Sequence, residues 1–121
     1  MQVLVDTSVW IDHLRRADAQ LVALLLEARV LTHPAVLGEL ACGRIPNRQK
    51  LLALWLALPR VVTVSFEGAF GLVESRMLWG RGLGWTDIHL LASALVSRTT
   101  LWTRDRVLRR AAQELSILLR N

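Results

Sequence analysis

Val3-Leu4-Val5-Asp6-Thr7-Ser8 is the stretch on which the fold turns. A short β-branched run that halts at an acid and two hydroxyl residues reads as a buried strand passing directly into a helix, because Asp, Thr and Ser can satisfy the free N–H groups of a first turn. Outward from there the same unit recurs. Val30-Leu31-Thr32 reads as a second strand, with Pro34 placed for the first turn of a helix that continues over Ala35–Cys42 until Gly43. Val61–Val64 reads as a third strand, and Ser65 caps a helix expected from Phe66 to about Trp79. Thr99–Trp102 reads as a fourth, followed by a helix over Asp105–Glu114, and Leu115–Leu119 as a fifth. Helical spacing also covers Val9–Leu14 and Leu21–Ala28, broken by Arg15-Arg16-Ala17-Asp18; a helix capped by Asn47 reaches Leu58 before Pro59. Asp87–Ser97 forms another after the flexible loop Gly80-Arg81-Gly82-Leu83-Gly84.

Apolar strands alternating with helices define an α/β domain with a mainly parallel central sheet of about five strands flanked by helices, since parallel strands need crossovers that cover both faces. The 121 residues suit one domain, 1–121, and 53% hydrophobic against 21% charged residues excludes intrinsic disorder. No apolar stretch approaches the roughly 18 to 20 residues of a membrane span. The start, Met1-Gln2-Val3-Leu4-Val5-Asp6, lacks the features of a secretory signal, so the expected compartment is the cytoplasm. The lone Cys42 excludes an internal disulfide or a zinc knuckle. Fifteen Lys and Arg against ten Asp and Glu give a net charge of +5, with Lys50 the only lysine. Guanidinium groups suit bidentate contacts with phosphate, so a nucleic acid or an acidic protein is the expected class of partner.

In parallel sheets chemistry gathers at the carboxyl ends of strands. Asp6 follows the first strand at once and Asp105 follows the fourth after Thr103-Arg104, so two carboxylates share one edge. Glu39 is embedded in Ala35-Val36-Leu37-Gly38-Glu39-Leu40-Ala41, and Asp87 precedes Ile88-His89-Leu90-Leu91-Ala92. Helix capping would account for Asp6, Asp87 and Asp105 singly. It explains nothing about Glu39, which lies mid-helix among apolar neighbours. If the four converge, their repulsion calls for a cation, and an all-oxygen donor set selects Mg²⁺ or Mn²⁺.

Val3–Ser8, the helical Glu39, Gly84-Trp85-Thr86-Asp87-Ile88-His89-Leu90-Leu91-Ala92 and Leu101-Trp102-Thr103-Arg104-Asp105, in that order, resemble the successive motifs of PIN-domain ribonucleases. In length the chain is similar to the VapC toxins of bacterial and archaeal toxin–antitoxin pairs. The resemblance implies that Asp6, Glu39, Asp87 and Asp105 hold one or two Mg²⁺ or Mn²⁺ ions and that water is the nucleophile. It also implies that Thr7, Ser8 and Thr103 orient the acids. A metal-dependent endoribonuclease that cuts a structured cellular RNA is then expected, neutralised by a cognate antitoxin and paired as a homodimer.

Other classes compete on specific residues. Histidine catalysis would draw on His13, His33 and His89, but His89 lies two residues past Asp87, roughly 200° around the helix. A phosphorylation receiver needs an aspartate after the third strand, where Ser65-Phe66 stands instead. The remaining alternative is a PIN-like module that binds RNA or protein without cutting. Arg81, Trp85 and Arg104 are candidate RNA contacts, because Trp and Arg stack on unpaired bases; equally, Trp79 and Trp85 could be tucked into the core. Arg44, Arg48 and Lys50 form a second basic group. Leu21–Leu26 and Leu51–Leu58 are more apolar than one core-facing stripe requires, which predicts partner surfaces, by the resemblance a homodimer contact and an antitoxin groove.

Overall fold

The computed structural model describes residues 1–120. Three parallel strands, β1 (Val3–Val5), β2 (Val30–Leu31) and β3 (Thr100–Trp102), form a sheet in the order β2-β1-β3. The central strand pairs Val3 with Val30 and Thr100, Leu4 with Leu31 and Leu101, and Val5 with Trp102. Val3, Leu4 and Val5 are wholly buried, which is why the strand carries no polar alternation: helices cover both of its faces.

The expectation of about five strands is corrected to three. Where Val61–Val64 and Leu115–Leu119 were expected as strands there are two isolated parallel bridges, Thr32 to Arg60, the residue just before the first segment, and Leu101 to Leu118 within the second. On one edge Thr32 N–H donates to Pro59 O and Val61 N–H to Thr32 O, both at 2.9 Å; Val62 N–H then turns to Ser97 Oγ (3.1 Å) and the ladder stops. On the other edge Leu101 N–H donates to Ile117 O (2.7 Å) and Leu119 N–H to Leu101 O (2.9 Å). The layer is thus five segments wide, with its outer two held by a single pair of hydrogen bonds each.

Among the described residues seven helices pack around it: α1 (Thr7–Arg15), α2 (Ala19–Leu26), α3 (Pro34–Cys42), α4 (Arg48–Leu56), α5 (Phe66–Ser75), α6 (Trp85–Ser97) and α7 (Arg106–Glu114). Helix α5 stops at Ser75, short of the expected Trp79. Met77 takes a left-handed φ of 51° and Leu78 N–H returns to Val73 O at 3.0 Å, a C-terminal closure in which a methionine stands where glycine is usual. Ala28, Arg98 and Ser116 close α2, α6 and α7 in the same way. Asn47 precedes α4 in a left-handed conformation and its side chain makes no capping bond. Among the described residues no helix is long and apolar enough to cross a membrane.

Candidate active site

The register of the sheet sets the site. Asp6 N–H donates to Trp102 O (2.9 Å), extending the β1–β3 ladder by one step, so that Asp6 and Thr103 leave the sheet side by side. Asp6 stands at the head of α1, yet its carboxylate makes no capping bond there. Its Oδ2 instead accepts from Ser8 Oγ (2.8 Å) and from Thr103 Oγ1 (2.7 Å). Thr103 is wholly buried. Its hydroxyl also accepts from Asp105 N–H (3.1 Å), and Ser8 Oγ accepts from Arg104 N–H (3.0 Å), so the 103–105 turn and the first turn of α1 fix one another. From the same turn Thr7 Oγ1 donates to Glu39 Oε1 at 2.6 Å, tying α1 to the middle of α3.

The other two acids serve their own helices. Asp87 Oδ2 accepts from Gly84 N–H (2.9 Å) at the start of α6, and Asp105 Oδ2 accepts from Leu108 N–H (3.4 Å) as the cap of α7. Each of the four carboxylates therefore spends one oxygen on an internal hydrogen bond. Asp6 Oδ1, Glu39 Oε2, Asp87 Oδ1 and Asp105 Oδ1 accept none among the described residues.

That the four acids feel one another is visible at Asp87. Burial pushes its carboxyl above the usual carboxylate range, opposed by the Gly84 N–H, and the negative charges of Asp105, Asp6 and Glu39 push it further the same way. Such a donor set, all carboxylate oxygen with mutual repulsion unrelieved, fits a hard divalent cation in its chemistry. In its spacing it does not close: among the described residues no three His, Cys, Asp or Glu side chains are drawn together tightly enough to hold a metal ion.

The histidines lie outside the acidic cluster. His89 packs edge-on against Trp85, ring centroids 4.9 Å apart, and against His33 at 6.4 Å. His33 is buried and its Nδ1 accepts from Ala35 N–H (2.9 Å), capping α3; burial, with His89 beside it, lowers its pKa to about 4. This capping role was not read from the sequence, although a histidine directly before a proline at the first helical position is the available sign. Of the candidate RNA contacts, Arg104 reaches Asp18 Oδ2 (2.6 Å) and Asp12 Oδ2 (3.3 Å), and Arg81 pairs with Glu114 at 2.9 Å. Trp79 and Trp85 are not tucked away: they are 59% and 45% exposed, Trp85 leaning on Phe66 with ring centroids 5.5 Å apart.

Residues 3–114, which carry this sheet and all four acids, match the PIN domain family, and the chain belongs to that family. Within it, the chain is similar to Ribonuclease VapC32 of Mycobacterium tuberculosis, in strains CDC 1551 / Oshkosh and ATCC 25618 / H37Rv alike. It is 48% identical to that protein over 118 residues, which cover 97% of this chain and 95% of the relative.

Proposed function

We propose that this chain is a metal-dependent endoribonuclease of the VapC type, in which Asp6, Glu39, Asp87 and Asp105 hold Mg²⁺ or Mn²⁺ through the oxygens their internal hydrogen bonds leave over. The observation that carries this reading is the division of labour on each carboxylate, one oxygen committed to the protein and one left over. When bound, the cation supplies Lewis-acid polarisation of the phosphodiester and acidifies the attacking water. The chain's own residues do the positioning. Ser8 and Thr103 fix the rotamer of Asp6, and Thr7 holds Glu39 against α1, so these two acids are oriented before any substrate arrives. Trp85, half-exposed two residues before Asp87, offers a face on which an unpaired base of a structured cellular RNA can stack.

The apolar surfaces support two partners. Leu25 from the first apolar run and Leu51, Leu54, Trp55 and Leu58 from the second line one groove of about 390 Å³ with Trp10, His13 and Leu14, so the two runs form a single surface and not two. Leu14 also lines the neighbouring depression that reaches Glu39 and is flanked by Arg15 and Arg44. An antitoxin segment laid in the groove would run from apolar contacts toward the acids, which is how neutralisation of a cytoplasmic toxin would be built. Phe66 and Phe70 form a separate exposed aromatic face on α5, suited to the homodimer, and leave Trp85 at its edge to the RNA.

Because among the described residues no three acids stand close enough to enclose a metal, a PIN-like module that binds RNA or protein without cutting is the second reading. Incubation of the purified chain with total RNA decides between them. Cleavage in Mg²⁺ or Mn²⁺ that vanishes in chelator supports the nuclease, and growth arrest by the wild type but not by Asp6→Asn supports the toxin. Binding without cleavage under every metal condition leaves the module.

A further inference from the structure

Helix α7 leaves the site at Asp105 and carries the steepest division of character in the chain. Leu108, Ala111 and Ala112 are wholly buried, and Arg106, Arg109, Arg110 and Gln113 occupy an exposed arc of roughly 100° on the opposite side. No acid lies in that arc. Arg106 and Arg109 take part in no ion pair among the described residues, and the Arg110 side chain is 80% exposed. The loop that leads into α6, and so to Asp87 in its first turn, comes alongside: Gly82, at a φ of +83°, faces the Val107 methyls, and a Cβ there would meet them at 3.7 and 3.8 Å. Arg81 of that loop and Arg110 of the helix grip Glu114 from two sides, at 2.9 and 3.4 Å. The result is a pocket of about 400 Å³ lined by Arg81, Arg106, Val107, Arg110 and Glu114, three cations against one acid. It lies between the segment that leads to Asp87 and the helix that leaves Asp105.

We propose that this pocket is a phosphate subsite for the RNA strand to one side of the scissile bond, with the outward face of α7 guiding the backbone onward. It rests on the ribonuclease reading and adds to it where the strand lies. Arginines at positions i and i+4, about 6 Å apart along the helix axis, place two planar guanidinium groups on one face, where they present paired donors to a phosphodiester and carry no base preference. An acidic protein would find the same charge, but RNA is favoured because both walls of the pocket are continuous with the acid-bearing elements. Glu114 partly neutralises the subsite, so its removal acts in the opposite direction to removal of the arginines.

Binding of a fluorescein-labelled single-stranded oligoribonucleotide to the full chain, silenced by Glu39→Gln, tests this across a salt titration. Arg106→Gln/Arg110→Gln is expected to weaken binding about tenfold at low salt and to lower the log K against log salt slope by about 0.7, the value for one phosphate no longer neutralised. Arg106→Lys/Arg110→Lys should keep the slope, and Glu114→Gln should tighten binding. Arg60→Gln/Arg76→Gln, which removes the same charge elsewhere, should stay within about twofold of the parent. In the cleaving protein the α7 change should raise KM and spare kcat. If the silenced parent binds RNA and Arg106→Gln/Arg110→Gln binds it equally well with the same slope, the subsite is overturned and the stripe belongs to an acidic protein. A wild-type chain that neither binds nor cuts RNA overturns the ribonuclease reading itself.

Discussion

The acidic site and the apolar groove share one helix, and they are finished to different degrees. At the head of α1, Thr7 and Ser8 reach Glu39 and Asp6 with hydroxyl bonds of 2.6 and 2.8 Å, and a buried threonine completes the second at 2.7 Å. One turn further on, Trp10, His13 and Leu14 of α1 line a groove in which Trp10 meets Trp55 edge to face at 5.9 Å and Leu54 is 57% exposed. Directional bonds hold the polar side in one arrangement without any ligand. The apolar side has surface left uncovered, which costs free energy in water until something covers it. On the proposed reading one end of α1 serves the chemistry, and the other serves a partner.

The largest effect expected from that contrast is on cleavage. Glu39→Gln and Asp6→Asn keep the hydrogen bonds from Thr7, Ser8 and Thr103 within reach of an amide oxygen while removing the charge that, on the proposed reading, would hold the cation. Loss of several kcal/mol of transition-state stabilisation corresponds to a rate reduction on the order of 10³-fold. Single-turnover cleavage measures it, with RNA affinity held within a small factor; affinity lost as completely as activity, with the fold intact, would show that these acids do not divide from the arginines as described.

The polar side was also the more legible side in the sequence. Asp6-Thr7-Ser8 and Thr103-Arg104-Asp105 follow strands immediately, so a local reading places their side chains at one sheet edge, and only Glu39 and Asp87 required tertiary convergence. The edges of the sheet were less legible because Val61–Val64 has strand composition throughout, and what ends the ladder is a distant hydroxyl, Ser97 Oγ, that captures Val62 N–H. The end of α5 was missed because Met77 adopts the left-handed turn in place of glycine. The groove was half legible: excess apolar content marked both runs, but only packing shows that they face one another. Charge on α7 was visible as composition, whereas the arc free of acids emerges only once Leu108, Ala111 and Ala112 are known to face inward.

On the acid side a pH effect of the next size is expected. The folded-state pKa of His33 lies near 4 against the ordinary 6.5, through burial first and the neighbouring His89 second. A base with a depressed folded pKa binds protons more weakly in the native state, so its stabilisation is complete above pH 6.5 and is lost as pH falls toward 4. Over that window the loss approaches about 3 kcal/mol. Urea midpoints at pH 7, 5.5 and 4 follow it, and His33→Asn, which can still accept from Ala35 N–H, should flatten the profile. An unchanged profile in that variant would assign the acid sensitivity elsewhere.

The groove side gives a smaller and separable effect. Leu54→Glu places a charge on the exposed wall and forfeits about 2 kcal/mol of apolar burial against an antitoxin segment, or roughly 30-fold in Kd. Cleavage by the free toxin should be unchanged. Equal antitoxin affinity for this variant and the wild type, by titration calorimetry, would move the partner to the aromatic face on α5.

The smallest expected effect is on melting temperature, and it tests the shared acidic site without any substrate. Burial and the charges of Asp105, Asp6 and Glu39 raise the Asp87 carboxyl, so the native state binds that proton more tightly than the unfolded chain does. Stability is then lost as pH rises from the ordinary aspartate value of 3.8 through the raised one, and the penalty is complete at neutral pH. Asp87→Asn removes the charge and retains an oxygen for Gly84 N–H, so the metal-free variant should melt a few degrees above the wild type at pH 7 and lose that advantage near pH 4. A cation that binds only the folded state adds about 2.7 kcal/mol at a hundredfold excess over its Kd, and it should add more to the wild type, whose four acids are intact, than to the variant. The order of the two melting temperatures should therefore close or reverse when chelator is replaced by saturating Mg²⁺ or Mn²⁺. Leu54→Glu, on the other side of α1, should respond to metal as the wild type does. If Asp87→Asn melts with the wild type in chelator and both rise equally with metal, the four carboxylates do not act on one cation, and the contrast between the two ends of α1 loses its chemical half.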